Sequence, residues 1–245
     1  MTTLSRRSDP DAAKRSTVPE LRPAGPAADP PAHPIRELST AEVRWILPGD
    51  LDAAIAEWFE RFPGGMEFRE DAYLVRPVLR GLSVKIRAGS LLEVKVYQGS
   101  PGVLDTASGA RGRIESWRKW SFPFGPLGPN SAGSPSWTVV HKRRWISQFF
   151  LAGGRLTTGI PLRPGIPAQA REAACAAELT EVRSGGRTWW SLAFEATGAA
   201  DLLRGTLQAT AALIFAQAPP GEVELDLSHC QSYADWLSRR AEYLE

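Results

Sequence analysis

The 245-residue chain has only two cysteines, three histidines and no long apolar run. Cys175 and Cys230 are too few for a disulfide framework and lack metal-ligand spacing, so they read as free buried thiols. His33, His141 and His229 are scattered, and no histidine cluster offers itself for metal or nucleophile chemistry. The opening TTLSRRSDPDAAKRS is polar throughout, and no stretch approaches the roughly 18 apolar residues of a membrane helix. The expectation is a soluble cytoplasmic protein with no membrane partner. A strong charge of one sign is lacking too. Against 27 Asp+Glu, 29 Lys+Arg leave +2, which removes the usual electrostatic basis for coating nucleic acid. Lysine itself is scarce: 24 basic residues are Arg and five are Lys, at 14, 85, 95, 119 and 142, four of them in or beside strand-like segments.

Residues 1–37 hold seven prolines and no hydrophobic period, and they read as a disordered leader that cannot offset the entropy of ordering. Residues 38–245 read as a single domain, since all-β barrels use such lengths for one core. TAEVRWIL (40–47) reads as a strand. DLDAAIAEWFERF (50–62) reads as a helix capped by Asp50, with Leu51, Ile55, Trp58 and Phe59 on one face. Residues 69–75 lead into an 82–99 hairpin, followed by strand-like 110–122, 138–150, 154–162, 173–185 and 187–198. Helical pattern returns at 199–216 and 232–245, the second capped by Ser232. The Pro/Gly/Ser segment 123–137 reads as a loop long enough to be either mobile or a lid over a site. About eight short strands with a few helices predict a closed antiparallel β-barrel with peripheral helices, mainly β; a sandwich is the alternative.

The hairpin LSVKIRAGSLLEVKVYQG carries Ser83, Lys85, Arg87, Glu93, Lys95 and Tyr97 on one alternating set and Leu82, Val84, Ile86, Leu92, Val94 and Val96 on the other. Elsewhere Glu-Val-cation recurs at Glu42-Val43-Arg44, Glu93-Val94-Lys95 and Glu181-Val182-Arg183, and Lys-x-Arg at Lys85/Arg87 and Lys142/Arg144. Residues i and i+2 share a strand face, so with Arg113/Glu115 at least six strands aim charge at one surface. Two arrangements fit. The face is solvated, with ordinary weak cross-strand ion pairs, or it lines the inside of the barrel while helices cover the apolar outside. A lining of both signs suits a phosphate chain, because forked guanidinium donors hold phosphate oxygens and carboxylates hold a bridging divalent metal.

The first-strand Glu-x-cation, LSVKIR, LLEVKVY, RGRIE, VVHKRR and the CAAELTEV to WWSLAFEATG pair together resemble the CYTH superfamily, the triphosphate tunnel metalloenzymes, over residues 40–198. That resemblance implies an eight-stranded antiparallel tunnel. In it Arg44, Lys85, Arg87, Lys95, Arg113, Lys142 and Arg144 would grip a triphosphate. Glu42, Glu115, Glu178 and Glu195 would hold Mg²⁺ or Mn²⁺, with Glu42, Glu115 and Lys85 catalytic. The family's Glu-x-Glu-x-Lys appears here as Thr40-Ala41-Glu42-Val43-Arg44, without the first glutamate and with arginine for lysine. Whether Glu178 or Glu181 points inward is left open by the alternation. The implied activity is metal-dependent hydrolysis of a phosphoanhydride in an inorganic or organic triphosphate. The alternative is a non-catalytic module that binds polyphosphate or a nucleotide, having lost part of the metal site. Neither reading fixes the oligomeric state, and neither involves nucleic acid.

Overall fold

The computed structural model of the chain describes residues 36–76, 79, 81–123, 137–159, 172–221 and 223–242. The proposed leader, up to residue 35, and the proposed lid, 124–136, lie outside them. Nine strands run in chain order: β1 (Arg36–Pro48), β2 (Gly64–Leu74), β3 (Leu82–Arg87), β4 (Leu91–Asp105), β5 (Arg111–Pro123), β6 (Trp137–Ala152), β7 (Arg155–Gly159), β8 (Ala173–Ser184) and β9 (Arg187–Gly198). The helices are α1 (Ala53–Glu60), α2 (Leu203–Ile214) and α3 (Tyr233–Glu242). No helix among the described residues is long and apolar enough to cross a membrane.

Every named pairing is antiparallel, and the order β2-β3-β4-β5-β1-β9-β8-β6 closes on itself because β2 also pairs with β6. The result is an eight-stranded closed barrel, as the strand pattern predicts. β7 is an added edge strand, paired to the far half of β6 from Gln148 to Ala152. Boundaries depart from the sequence reading in several places: β2 starts at Gly64 rather than Arg69, β4 runs on to Asp105, and α2 is shorter than 199–216. β1 begins at Arg36, inside the expected leader, because Arg36–Glu42 pairs with Glu115–Ser121 of β5. The cap of α1 is Asp52, not Asp50: its carboxylate accepts from the Ala54 amide at 2.7 Å.

The barrel is inside-out compared with a small packed barrel. Ala41, Val43 and Trp45 of β1, Phe149 of β6, Leu179 of β8 and Phe194 of β9 are buried on its outer wall. There they meet Trp58 and Phe59 of α1 and Leu207 and Ile214 of α2. Packing is close enough that a Cβ on Gly112 of β5 would stand 2.4 Å from Val43 Cγ2. With the apolar residues outside, their alternate neighbours must face in.

α3 departs from the expected role. The sequence reading lays all three helices on the exterior, but α3 closes one barrel mouth. Tyr233, Trp236 and Leu237 form a second buried cluster with the inward-facing Ile46, Tyr73, Val140 and Val182. Its approach is built by backbone bonds: where β5 leaves β1 beyond the Glu42–Glu115 pair, His229 and Gln231 bond to Ile46 and Arg44 instead. Ser232 then caps α3 as predicted, accepting from the Asp235 amide at 3.1 Å.

Candidate anion-binding tunnel

All eight barrel strands place charge on the inner face. The set is Glu42 and Arg44 (β1), Arg69 and Asp71 (β2), Lys85 and Arg87 (β3), Glu93 and Lys95 (β4), Glu115 and Lys119 (β5), Lys142 and Arg144 (β6), Glu178 (β8) and Glu195 (β9). With Glu67 at the rim of β2, which pairs with Arg144 and Arg69, eight cations thus face seven carboxylates, a formal excess of one. They surround a cavity of about 50 Å³, also lined by Tyr73, Ser83, Trp117, Ser232 and Tyr233. At roughly 15 Å³ each, that is room for three or four waters. The interior is drawn together by its own ion pairs.

One end is organised around Asp71, which has no exposed surface. Lys142 Nζ donates to its Oδ2 at 2.8 Å, Lys85 Nζ lies at 3.7 Å, and Arg69 and Arg87 Nε stand 3.2 and 3.9 Å from Oδ1. Burial opposes its charge, but Lys85, Lys142 and Arg69 together hold the carboxyl well below the usual range. Burial brings Lys85 down to about 8, with Asp71 and Glu93 working the other way. Lys142 Nζ also lies 3.8 Å above the Tyr233 ring, so α3 contributes a π face to the cation cluster. Midway, Glu178 accepts from Arg144 and, at 3.2 Å, from Arg44. These two outweigh burial and hold it ionised. The buried Nε–H groups of Arg69, Arg87 and Arg144 make no hydrogen bond among the described residues, and neither do Glu93 Oε1 and Asp71 Oδ1, the latter facing the first two only as ion pairs. Unmade donors of this kind are costly in a protein interior and are commonly met by a ligand or water.

The other end is a carboxylate row. Register sets Glu42 of β1 directly opposite Glu115 of β5 and Glu195 of β9. Lys95 Nζ bridges Glu42 at 2.7 Å and Glu195 at 3.2 Å, and Lys119 reaches Glu195 at 3.2 Å. Among the described residues Glu115 has only the Trp117 indole N–H as a hydrogen-bond donor, at 3.2 Å. Burial, Glu42 and then Asp235 push it up to about 7. A carboxyl raised from 4.5 to about 7 on folding binds a proton that the unfolded chain has released, so stability falls as pH rises across that window. The expected result is that Glu115→Gln gains stability relative to the parent as pH rises from about 5 to about 8, read from denaturation midpoints. A constant difference at both pH values would contradict the assignment.

The structure brings Glu42, Arg44, Lys85, Arg87, Lys95, Lys142, Arg144, Glu178 and Glu195 to one cavity, with Glu115 buried beside it. Glu178, not Glu181, points inward; Glu181 pairs outside with Arg143 at 3.3 Å. The third Glu-Val-cation triplet therefore sends its charges outward, unlike the first two. Arg113 is not brought in. It sits beyond the point where β5 leaves β1, exposed, with its amide donating to Cys230 Sγ. Sequence reasoning missed Asp71, Arg69, Tyr73, Lys119 and Tyr233. Arg69, Asp71 and Tyr73 share one parity on β2, and Lys119 continues the Glu115 parity, so extending the alternation would have found four of them.

The metal implied by the family resemblance fits this arrangement poorly. Lys95 occupies the crossing between the Glu42 and Glu195 carboxylates, Glu178 is engaged by two guanidiniums, and Thr40 offers a neutral hydroxyl. Among the described residues no group of three His, Cys, Asp or Glu is arranged to hold a metal ion.

No protein-family model matches the sequence, and no curated protein matches it. Among solved structures the chain is similar to the PH1819 protein from Pyrococcus horikoshii OT3, at 12% identity and TM-score 0.38, over 81% of this chain and 99% of that one. It is also similar to the S. pombe Pct1 RNA triphosphatase, at 10% identity and TM-score 0.29, over 86% of this chain and 82% of that one. Likeness at this level carries no functional argument.

Proposed function

We propose that this chain is a divergent member of the CYTH superfamily whose barrel interior binds the triphosphate of an inorganic or organic triphosphate, or a short polyphosphate. The observation that supports this most is the convergence of Arg69, Lys85, Arg87 and Lys142 on one buried carboxylate, with guanidinium N–H groups left unbonded beside it. A linear polyanion bound beside these cations would share them with Asp71 and bring oxygens to the unmet donors. Arg44 and Arg144 would extend the path, and charge-assisted, forked contacts suit phosphate oxygens. Specificity over single-charge anions would come from the length of the cationic track. Lys95, closer to the carboxylate row, would neutralise the far end of the anion. No membrane or nucleic-acid partner enters this reading.

A second reading, hydrolysis of a phosphoanhydride in the same tunnel, is favoured by the Glu115–Glu42–Glu195 row beside the cations. There the cations would stabilise the charge of the leaving phosphate, and a carboxylate would accept a proton from the attacking water. One assay separates the two: phosphate release from tripolyphosphate, with and without Mg²⁺ or Mn²⁺, on samples whose binding is measured in parallel. Binding without release is the result expected for the first reading. Release that disappears in Glu42→Gln would instead establish the second.

A further inference from the structure

The carboxylate row has a counter-ion of its own. Glu42 and Glu195 converge on one ammonium, Lys95 Nζ, at 2.7 and 3.2 Å, and a second, Lys119 Nζ, stands 3.2 Å from the same Glu195 oxygen. Lys95 is largely buried, with about a seventh of its side chain exposed. Glu195 and Glu42 keep it charged against the effect of burial. On the other side of Glu42, two residues earlier on the same inward face of β1, Thr40 is buried and its hydroxyl has no partner among the described residues. A divalent ion entering here would meet an ammonium at contact distance from both of its best carboxylates, and no added glutamate at position 40 to recruit it. Ion and ammonium compete for the same oxygens, so only one of them stays.

We infer that Lys95, assisted by Lys119, is a covalently tethered substitute for a divalent cation in this tunnel, so that anion binding by this chain does not require a metal. The inference deepens the triphosphate-binding reading and rests on it for the identity of the anion. The lysine does what a bridging ion does electrostatically: it neutralises Glu42 and Glu195 and presents positive charge toward the anion. It differs in being always present and singly charged. The scarcity of lysine in an arginine-rich chain agrees with such a role. An ammonium is a compact point charge that fits between two carboxylates, whereas a planar guanidinium needs a wider fork.

The test uses the full chain and Mn²⁺ as the probe, followed by electron paramagnetic resonance of free and bound ion without phosphate. The parent is expected to bind no stoichiometric Mn²⁺, and Lys95→Met, which strips the counter-ion from Glu42 and leaves Glu195 with Lys119 alone, is expected to bind one per chain at least about tenfold more tightly, or about 1.4 kcal/mol. A parent that binds one Mn²⁺ per chain, lost in Glu42→Gln, overturns the inference, and this arm stands even where Lys95→Met fails to fold. Calorimetry with tripolyphosphate supplies the second arm. Binding in EDTA supports the inference; binding only after Mn²⁺ is added overturns it. If the anion binds under neither condition while Mn²⁺ is excluded by the parent and admitted by Lys95→Met, the lysine substitution stands and the triphosphate reading falls.

Discussion

Asp71→Asn is expected to lower the stability of the protein sharply, and tripolyphosphate is expected to restore it. Asp71 is fully buried among Lys142, Lys85, Arg69 and Arg87, the nearest at 2.8 Å. Removing one side of a buried ion pair leaves uncompensated charge and typically costs about 3–5 kcal/mol. For a domain of this size each kcal/mol moves the melting midpoint by roughly 2–4 °C, so a fall of about 6–20 °C is expected. An anion then has more to offer the variant than the parent, because it no longer competes with an internal carboxylate. At a ligand concentration about 100 times its dissociation constant, the return is about 2.7 kcal/mol. Thermal unfolding of both proteins, with and without tripolyphosphate, checks both halves. A variant that melts within about 2 °C of the parent would show that the four cations are not held by Asp71.

The second large effect separates inside from outside. Lys85 and Arg87 lie on the inward face of β3, paired with Asp71 and Glu93, while Arg183 on β8 is exposed. A hydrogen bond to a charged group contributes about 1.5–3 kcal/mol, so each of Lys85→Ala and Arg87→Ala is expected to weaken tripolyphosphate binding roughly 10- to 150-fold. Arg183→Ala removes the same charge from the outer wall and is expected to change affinity less than about threefold, as exposed charges act weakly through salt. Calorimetric dissociation constants for the three variants provide the comparison. Equal losses at all three positions would mean that the anion senses net charge, not a tunnel.

The alternation of charge and apolar residues was enough to read the barrel and most of its inner lining. In β1 the sequence places Val43 and Trp45 on one face and Glu42 and Arg44 on the other. Register then buries the first pair under α1 and α2 and the second in the tunnel. What alternation lacks is any label for inside. The Glu181/Arg183 pair repeats the Glu42/Arg44 grammar yet faces solvent, because a strand carries two faces and β8 points the other parity inward. The Glu115–Glu42–Glu195 row is invisible for a related reason: it depends on how three distant strands are staggered, and only cross-strand register sets that. Arg113 has the same parity as Glu115, but β5 leaves β1 between them. The closing helix escaped because Tyr233, Trp236 and Leu237 give the same amphipathic pattern whether they cover a wall or a mouth.

Titration of the parent protein with tripolyphosphate, pyrophosphate and orthophosphate by calorimetry in EDTA tests the central claim most directly. The predicted result is one site per chain, with affinity rising steeply as the chain lengthens from one to three phosphates, because each added phosphate meets further cations of the buried track. Weak binding that is the same for all three anions and vanishes with added salt would contradict it.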